Sequence, residues 1–329
     1  MPRIVRFHEL GGPDNLRIED AASRQPGAKE LKLRVQATGL NRAEALYMRG
    51  FYFEQPELPS RIGYEAAGVV EAVGPGVDPS LVGRRVATIP GFSQNRYGVL
   101  GDEAIVPASS VAEYPAALSP IQGAAIWMQY LTAWGALVHL GHVTQGDFVV
   151  IPAASSSVGL AAIQIVKDAG ATAIAATRTS AKRQQLLALG ADHVIATEEE
   201  DLPARVLQIS GGKGARIIFD PVGGPYVETL AAAVAPGGTI FLYGLLSMQP
   251  TIYPTSLGIG KAISLRGYSL MELHGNRSVL DQALAYTRER LEDGRFVPKI
   301  ARTFPLEQSA EAYRYLESNA QIGKVVITV

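Results

Sequence analysis

A loop of small residues near the middle of the chain has the composition of a phosphate-binding turn. It reads PAASSSVGL over residues 152–160 and directly follows an apolar, β-branched run. Of the glycines in the dinucleotide-binding motif G-x-G-x-x-G, only the last is present, as Gly159. Small side chains still let the backbone approach a pyrophosphate, and Ser156, Ser157 and Val158 lie where a helix N-terminus would attract anions. The loop predicts a dinucleotide site, with an ordinary strand-to-helix turn as the alternative.

The residues after the next predicted strand discriminate between the two nicotinamide dinucleotides. An NAD site usually places Asp or Glu there, on the ribose 2′-hydroxyl, but the segment 176–183, ATRTSAKR, contains no acid. It supplies the cations Arg178, Lys182 and Arg183 and the hydroxyl of Thr179, which suit a 2′-phosphate. The alternative is a helix with a solvated basic face. We therefore predict NADPH as the cofactor.

Both segments belong to a region in which apolar strands alternate with helices. Helical segments rich in Ala and Leu separate most of these strands, and an amphipathic helix is predicted at 278–292. The predicted strands are 148–152, 173–177, 193–196, 216–220, 239–243 and 264–268. This spacing is typical of βαβ units and predicts a doubly wound parallel sheet of six strands.

The first part of the chain, up to about residue 115, has a different pattern of short strands between Gly- and Pro-rich turns. These strands are predicted at 4–8, 31–37, 65–73, 85–89 and 103–106. They indicate a small barrel or twisted sheet. A capping box at 119–122, SPIQ, then starts a helix that is predicted to continue to His139, with Gly141 just past its end. The fold class is α/β with a β-rich first part.

Composition excludes several kinds of protein. The 329 residues are enough for about two domains. The 30 Lys and Arg nearly balance the 31 Asp and Glu, which argues against a nucleic-acid partner. No cysteine is present, so disulfides and Cys-based zinc sites are excluded. The N-terminus lacks a signal-peptide core and no apolar run is long enough to cross a bilayer, so we expect a cytoplasmic protein without a membrane partner.

Several further motifs together make the sequence recognisable. They are GLNRAE at 39–44, GYEAAGVV at 63–70, VGPGV at 73–77, DPVGG at 220–224 and GKVV at 323–326. With the Ser-rich loop they resemble the medium-chain dehydrogenase/reductase superfamily over nearly the whole chain. The branch is similar to the zinc-independent quinone oxidoreductases related to zeta-crystallin.

The resemblance implies two domains and a dimer. A GroES-like, β-rich catalytic domain would comprise residues 1–122 and 268–329, and a Rossmann domain that binds NADP(H) would comprise 123–267. In this superfamily the last strands of the cofactor domain often pair across a two-fold axis, so a homodimer formed through 239–243 and 264–268 is expected.

The resemblance also implies chemistry without a metal. Zinc-dependent members carry Cys at the position of Asn41 and His at the position of Tyr64. His139 and His142 are interpreted as helix-terminus residues, with a metal role as the alternative. Without a Lewis acid to polarise a saturated ketone, the expected acceptors are quinones or enones.

The same resemblance places the reacting end of the cofactor in a cleft between the domains. The catalytic candidates are Asn41, Tyr47, Tyr52 and Tyr64, which can donate hydrogen bonds or a proton. Tyr47 and Tyr52 could instead be packing residues. Glu65 is interpreted as a structural carboxylate rather than a catalytic acid.

Cofactor contacts implied by the resemblance include two residues of the linking helix, Gln129 and Thr132, together with Asn41. The others are Thr197, Gly244, Leu245 and Lys324. Two of these positions depart from the branch, which often has Tyr in place of Thr197 and a small polar residue in place of Leu245.

The predicted activity is NADPH-dependent, zinc-independent hydride transfer to a quinone or an α,β-unsaturated carbonyl compound. One alternative is a zinc-free reductase of saturated carbonyls or alcohols. Another is a nucleotide-binding protein whose main role is not catalytic.

Overall fold

Sixteen strands and twelve α-helices make up the fold, and the computed structural model describes all residues, 1–329. The strands are β1 Arg3–Phe7, β2 Leu16–Asp20, β3 Glu30–Gly39, β4 Ser60–Arg61, β5 Glu65–Val73, β6 Arg85–Thr88, β7 Glu103–Pro107, β8 Val111–Glu113, β9 Phe148–Ile151, β10 Thr172–Thr177, β11 His193–Ala196, β12 Ala215–Asp220, β13 Val234–Leu242, β14 Ser264–Gly267, β15 Ile300–Pro305 and β16 Lys324–Thr328. The helices are α1 Arg42–Met48, α2 Gln94–Tyr97, α3 Pro120–Gly123, α4 Trp127–Trp134, α5 Ser157–Asp168, α6 Arg183–Ala188, α7 Leu202–Ile209, α8 Tyr226–Ala233, α9 Thr255–Lys261, α10 Met271–His274, α11 Arg277–Glu292 and α12 Ser309–Glu317.

Residues 129–296 form a unit around a six-stranded sheet in the order β11-β10-β9-β12-β13-β14. All its neighbouring strands are parallel. Counted from β9, the order is 3-2-1-4-5-6, that of a doubly wound dinucleotide-binding fold. The six predicted strands and this fold class are confirmed. Strand β13 starts five residues earlier than expected, where its pairing with β12 is irregular.

Residues 1–128 and 297–329 form the other unit, which is mainly β. Its larger sheet has seven strands in the order β15-β16-β3-β5-β6-β8, with β7 pairing on β3. A smaller sheet has the order β2-β1-β4. The β-rich first part is therefore confirmed. Short strands were also expected between the amphipathic helix at 278–292 and residue 329, where β15 and β16 lie. The prediction missed the short strands β2, β4 and β8, because two to five residues carry little periodicity.

The segment 268–296 groups with residues 129–267, although the sequence assigned it to the catalytic domain. Helix α11 supplies the reason, because it binds the end of α5. The Tyr286 hydroxyl donates to Asp168 at 2.9 Å, and Arg290 Nε donates to the same carboxylate at 2.5 Å. Phe296 then stacks on Tyr130 with ring centroids 5.0 Å apart.

The predicted continuous helix from residue 120 to 139 is interrupted. The capping box is present, with Gln122 N donating to Ser119 Oγ at 3.3 Å, but α3 ends at Gly123. Gly39 contacts the chain just beyond, since a Cβ atom added there would lie 1.9 Å from Ala124 O. Helix α4 then starts separately at Trp127 and continues as one π-helical segment at 135–140. The close backbone approach at Gly39 is a tertiary contact that local sequence does not encode.

None of the helices is both long and apolar enough to span a membrane.

Candidate functional site

The predicted cofactor residues of the 129–296 unit follow the carboxyl ends of its parallel strands. The loop 152–156 follows β9, Arg178 follows β10, Thr197 follows β11, and Gly244 comes two residues after β13. Carboxyl ends of parallel strands meet at one edge, and ligands of doubly wound sheets bind where the strand order reverses. Here that point lies at β9, so four predicted segments are brought to one edge.

The turn between β9 and α5 is tight and presents the start of a helix. Ser156 is the N-cap of α5, and its Oγ accepts a hydrogen bond from Gly159 N at 3.1 Å. A Cβ atom added at Gly159 would lie 2.7 Å from Cα and from O of Ala154, so glycine is required for this close approach. Ser157 and Val158 are the first two helical residues. The arrangement fits a pyrophosphate at a helix N-terminus.

Two cations lie beside this turn at the end of β10. The side chain of Arg178 is exposed and forms no ion pair with a carboxylate. Lys182 is half-buried, and its Nζ donates to Ser155 Oγ at 3.0 Å, which places it against the β9–α5 turn. Burial, reinforced by the charge of Arg178, lowers the pKa of Lys182. Thr179 lies between them and is exposed. These groups suit a phosphate dianion.

Arg183, by contrast, is already bound within the protein. Its guanidinium forms an ion pair with Glu200 and donates to Val194 O at 2.8 Å. The neighbouring Glu199 accepts from Ser180 N at 2.8 Å. These contacts link the residues that follow β10 to β11 and to the residues that follow it. The cofactor role of Arg183 stays a prediction, while its charge is balanced by Glu200.

The other strand ends carry hydroxyl groups and close backbone contacts. Thr197 is half-buried and lines the same cavity as Tyr226, whose pKa is raised by burial. A Cβ atom added at Gly244 would lie 2.6 Å from a backbone oxygen of the loop after β12, and Leu245 is exposed. The hydroxyl of Tyr243 is buried without a hydrogen-bond partner. An unsatisfied buried hydroxyl requires an explanation, and a bound ligand is one.

Helix α4 carries Gln129 and Thr132, and both side chains are buried. The Oε1 atom of Gln129 has no hydrogen-bond donor. An amide oxygen in this state can accept from a carboxamide N–H such as that of nicotinamide. Gln129 Oε1 therefore remains available to accept a hydrogen bond from the cofactor, which is the contact that the sequence analysis predicts.

A buried ion pair lies in the unit of residues 1–128 and 297–329. The Lys324 ammonium pairs with Glu65 Oε2 and donates to Asn41 Oδ1 at 2.7 Å. Asn41 Nδ2 donates to the same Glu65 oxygen at 3.2 Å, and Glu65 Oε1 accepts from Met128 N at 2.9 Å. The charged side chains are 0% and 2% exposed. Asn41 and Lys324 thus have partners within the protein, and their cofactor contacts stay predictions.

Glu44 extends this network, and the sequence analysis did not single it out. Its carboxylate accepts from Asn41 N at 2.9 Å, from Tyr64 N at 3.0 Å and from the Tyr313 hydroxyl at 2.9 Å. Burial raises the pKa of Glu44, although all these donors favour its ionised form. A signal was present in the sequence, because Asn41 and Glu44 have capping-box spacing at the start of α1.

The residues at these positions do not fit a catalytic zinc. Zinc takes thiolate, imidazole or carboxylate ligands, whereas Asn41 and Tyr64 present an amide and a phenol. The Asn41 amide oxygen and the Glu65 carboxylate are both bonded to the Lys324 ammonium, so a cation already balances the acid beside them. We derive no step through a metal.

Tyr47 is a buried packing residue of the mainly β unit. Its ring is fully buried and packs edge-on against Phe7, with centroids 5.7 Å apart. The hydroxyl lies 2.6 Å from Ser60 Oγ and donates to Asn95 Oδ1 at 2.5 Å. Burial raises the pKa of Tyr47 to about 12. These contacts favour the packing alternative, and a catalytic role of Tyr47 stays a prediction.

Tyr52 and Tyr64 lie together, with ring centroids 6.3 Å apart. Tyr64 is 1% exposed, while Tyr52 is half-buried and lies in the irregular segment between α1 and β4. Burial raises the pKa of Tyr52 to about 12 and also raises that of Tyr64. Both phenols therefore keep their protons at neutral pH and can act as hydrogen-bond donors. Of the four catalytic candidates, these two form a pair at the edge of the core.

Two comparisons with family models divide the chain as the structure does. A model of the alcohol dehydrogenase GroES-like domain matches residues 27–116, and a model of the zinc-binding dehydrogenases matches residues 157–290. The first match lies in the mainly β unit, and the second lies in the unit with the parallel sheet. The expected GroES-like and Rossmann folds are confirmed.

Three relatives cover nearly the whole chain. A 2-haloacrylate reductase from Burkholderia sp. is 30% identical over 328 residues, which cover 98% of this chain and 97% of the reductase. The solved structure of Escherichia coli quinone oxidoreductase complexed with NADPH is 29% identical, with a TM-score of 0.91 and coverage of 99% and 100%. A solved NAD-dependent alcohol dehydrogenase is 31% identical, with a TM-score of 0.89 and 99% coverage of both chains.

Proposed function

Because the chain belongs to the medium-chain dehydrogenase/reductase superfamily, in the branch of the quinone oxidoreductases, we propose that it transfers hydride from NADPH to a quinone or an α,β-unsaturated carbonyl compound. The observation that carries this proposal is the pair of protonated phenols, Tyr52 and Tyr64, in the superfamily's substrate-binding domain. Hydrogen-bond donors without a metal suit acceptors that are already electron-poor.

NADPH fits the residues at the strand ends of the 129–296 unit. The N-terminus of α5 and the close approach at Gly159 provide for the pyrophosphate, and Arg178 and Lys182 provide for the 2′-phosphate. The unsatisfied Gln129 Oε1 and Tyr243 hydroxyl are two buried groups that a ligand could satisfy. A relative of this chain was solved with NADPH, which supports the same cofactor.

The residues of the substrate-binding domain stabilise the product of hydride transfer. When bound, NADPH supplies a hydride to an electron-poor carbon of the acceptor. Negative charge then develops on the acceptor's oxygen, and a hydrogen bond from the Tyr52 hydroxyl stabilises it. A proton from Tyr52 or from water completes the reduction, which yields a hydroquinone or a saturated carbonyl compound.

The direct test is a steady-state assay of reduced-nicotinamide absorbance with a quinone, an enone and a saturated ketone. NADPH and NADH are compared, each with and without a chelator. We expect turnover of the quinone or the enone that prefers NADPH and does not respond to the chelator. Equal turnover of the ketone would favour a saturated-carbonyl reductase, an alternative that the similarity to an alcohol dehydrogenase keeps open.

The choice of NADPH over NADH is expected to depend on Arg178. Replacing Arg178 with Glu removes a charge-assisted hydrogen bond and places a carboxylate near the 2′-phosphate, so the apparent KM for NADPH should rise about 30- to 100-fold. The KM for NADH should change less than about twofold, because NADH has no phosphate there. Lys213→Glu, an exposed change of equal charge in the same unit, is the control. A similar rise in both KM values would contradict the assignment.

The proposal includes a homodimer. Strand β14 is an edge strand of the six-stranded sheet. The segment before it exposes Ile252 and Ile259, each 77% accessible. An uncovered edge with apolar neighbours favours pairing with a second copy. Light scattering of the purified protein should give twice the monomer mass of 35.0 kDa. The mass of a single monomer would contradict the proposed homodimer.

A further inference from the structure

The segment that carries the two proposed phosphate ligands contains an exposed turn that has no cap from its own residues. After Arg178 the chain forms a single 3₁₀ turn over Ser180–Lys182, and residues 178–181 are exposed. Thr179 is in the N-cap position, but its side chain makes no capping hydrogen bond. The first N–H groups of such a turn need an acceptor from elsewhere. The conformation of this segment therefore depends on contacts with other parts of the chain.

Glu199, which follows β11, supplies the missing acceptor. Its Oε1 accepts from Ser180 N at 2.8 Å and from Ser180 Oγ at 3.2 Å. The hydrogen bond from Ser180 N is the main reason that the pKa of Glu199 lies below its usual range, so the carboxylate is charged at neutral pH. Hydrogen bonds to a charged acceptor are stronger than neutral ones. Glu199 thus caps the turn, although it is 19 residues away from Ser180 in the sequence.

Two more hydrogen bonds attach the segment on either side of this cap. Glu198 N donates to Arg178 O at 2.9 Å, which links the backbone of Arg178 to the residues after β11. Lys182 Nζ donates to Ser155 Oγ at 3.0 Å, in the turn before α5. The capped turn lies between these two attachment points.

The acids on either side of Glu199 have different environments. Glu200 forms ion pairs with Arg183 and Arg205. Glu198 is exposed, and its contact with the segment is made by its backbone N–H. Of the three consecutive acids 198–200, Glu199 is therefore the one whose carboxylate binds the exposed turn.

We propose that Glu199 is a positioning residue for NADPH, because it holds the turn at Ser180 so that Arg178 and Lys182 are presented together to the 2′-phosphate. Its carboxylate needs no contact with the cofactor. Without it, the phosphate would have to order the turn as it binds, and the cost of that ordering would reduce the affinity. NADH has no phosphate at this position, so its affinity would not be reduced. The inference rests on the proposed function and adds what keeps the NADPH-selective segment in place.

The experiment measures binding by titration calorimetry, with NADPH and NADH added separately and no acceptor present. In Glu199→Ala the Kd for NADPH should rise about fivefold, as expected for the loss of a cap, while the Kd for NADH stays within about twofold of wild type. Glu199→Gln keeps an amide oxygen for Ser180 N, so its Kd for NADPH should stay within about twofold as well. Rescue by the amide separates the capping hydrogen bond from the charge.

Two controls test whether the effect depends on the cations. Glu198→Ala removes an exposed carboxylate from the neighbouring position and keeps the backbone bond to Arg178 O, so both Kd values should stay within about twofold. In a variant that already carries Arg178→Ala and Lys182→Ala, adding Glu199→Ala should change the Kd for NADPH by less than about twofold. No cation is then left to position.

The inference would be overturned if Glu199→Ala bound NADPH as tightly as wild type, or if it weakened the binding of NADPH and NADH equally. An equal loss in Glu198→Ala or in Glu199→Gln would assign the effect to charge and contradict the capping role.

The wild-type protein provides the separate readout of the proposed function. A wild type that prefers NADPH while Glu199→Ala matches it contradicts only the role of Glu199. A wild type that binds NADH as tightly as NADPH contradicts the proposed cofactor and this inference together. A wild type that prefers NADPH but reduces no acceptor contradicts the proposed activity, and the binding comparison still decides the role of Glu199.

Discussion

Replacing Lys324 with Met is expected to lower the free energy of unfolding of its unit by about 3–5 kcal/mol. The substitution removes the only cation paired with Glu65 and leaves that carboxylate buried. Asn41 Oδ1 loses its donor as well. Removing one partner of a buried pair costs more than the pair contributes, because the remaining charge keeps its desolvation penalty.

The measurement can be confined to this unit, because the chain has only two tryptophans. Trp127 lies in the unit of residues 1–128 and 297–329, and Trp134 lies in the other unit. In a Trp134→Phe background, urea unfolding followed by tryptophan emission reports on Trp127 alone. Lys299→Met, which removes an exposed lysine of the same unit, should change stability by less than about 0.5 kcal/mol.

A double variant separates the effect of the unpaired Glu65 charge on stability from the other effects of removing Lys324. Adding Glu65→Gln to Lys324→Met removes that charge and keeps an oxygen for Met128 N, so part of the lost stability should return. If Lys324→Met unfolds at the wild-type urea concentration, the buried ion pair does not stabilise this unit.

Replacing Tyr52 with Phe is expected to lower kcat about 100- to 1000-fold with an enone or a quinone. The change removes the donor proposed for the oxygen on which charge develops, while the aromatic ring that packs on Phe53 and Tyr64 is retained. The affinity for NADPH should not change, because Tyr52 belongs to the proposed acceptor site. The same substitution at Tyr315, in the same unit, should leave kcat within about twofold.

The pH dependence of the wild-type enzyme provides a further check on Tyr52. A phenol that donates must be protonated, so activity is lost only as the pH rises through its pKa, which burial raises to about 12. The contribution of Tyr52 to kcat should therefore stay constant between about pH 6 and 10. A fall near pH 10, the ordinary range for tyrosine, that disappears in Tyr52→Phe would show that Tyr52 is solvated rather than buried.

Local sequence patterns were enough to predict the six-stranded parallel sheet and the segments proposed to bind the cofactor. Apolar strands at regular spacing, a small-residue turn at 152–160 and the basic segment 176–183 are local patterns, and local patterns survive folding where hydrophobic periodicity is strong. The family motifs are also local. Even Glu44 was detectable, because its spacing from Asn41 is that of a capping box.

The tertiary structure alone decided which of those candidates already have partners. Arg178 and Arg183 look equivalent in sequence, but Arg183 is neutralised by Glu200 from the next strand end, whereas Arg178 is unpaired. Lys324 and Glu65, separated by most of the chain, form a buried pair. Burial and pairing arise from contacts distant in sequence, and no short window of residues encodes them.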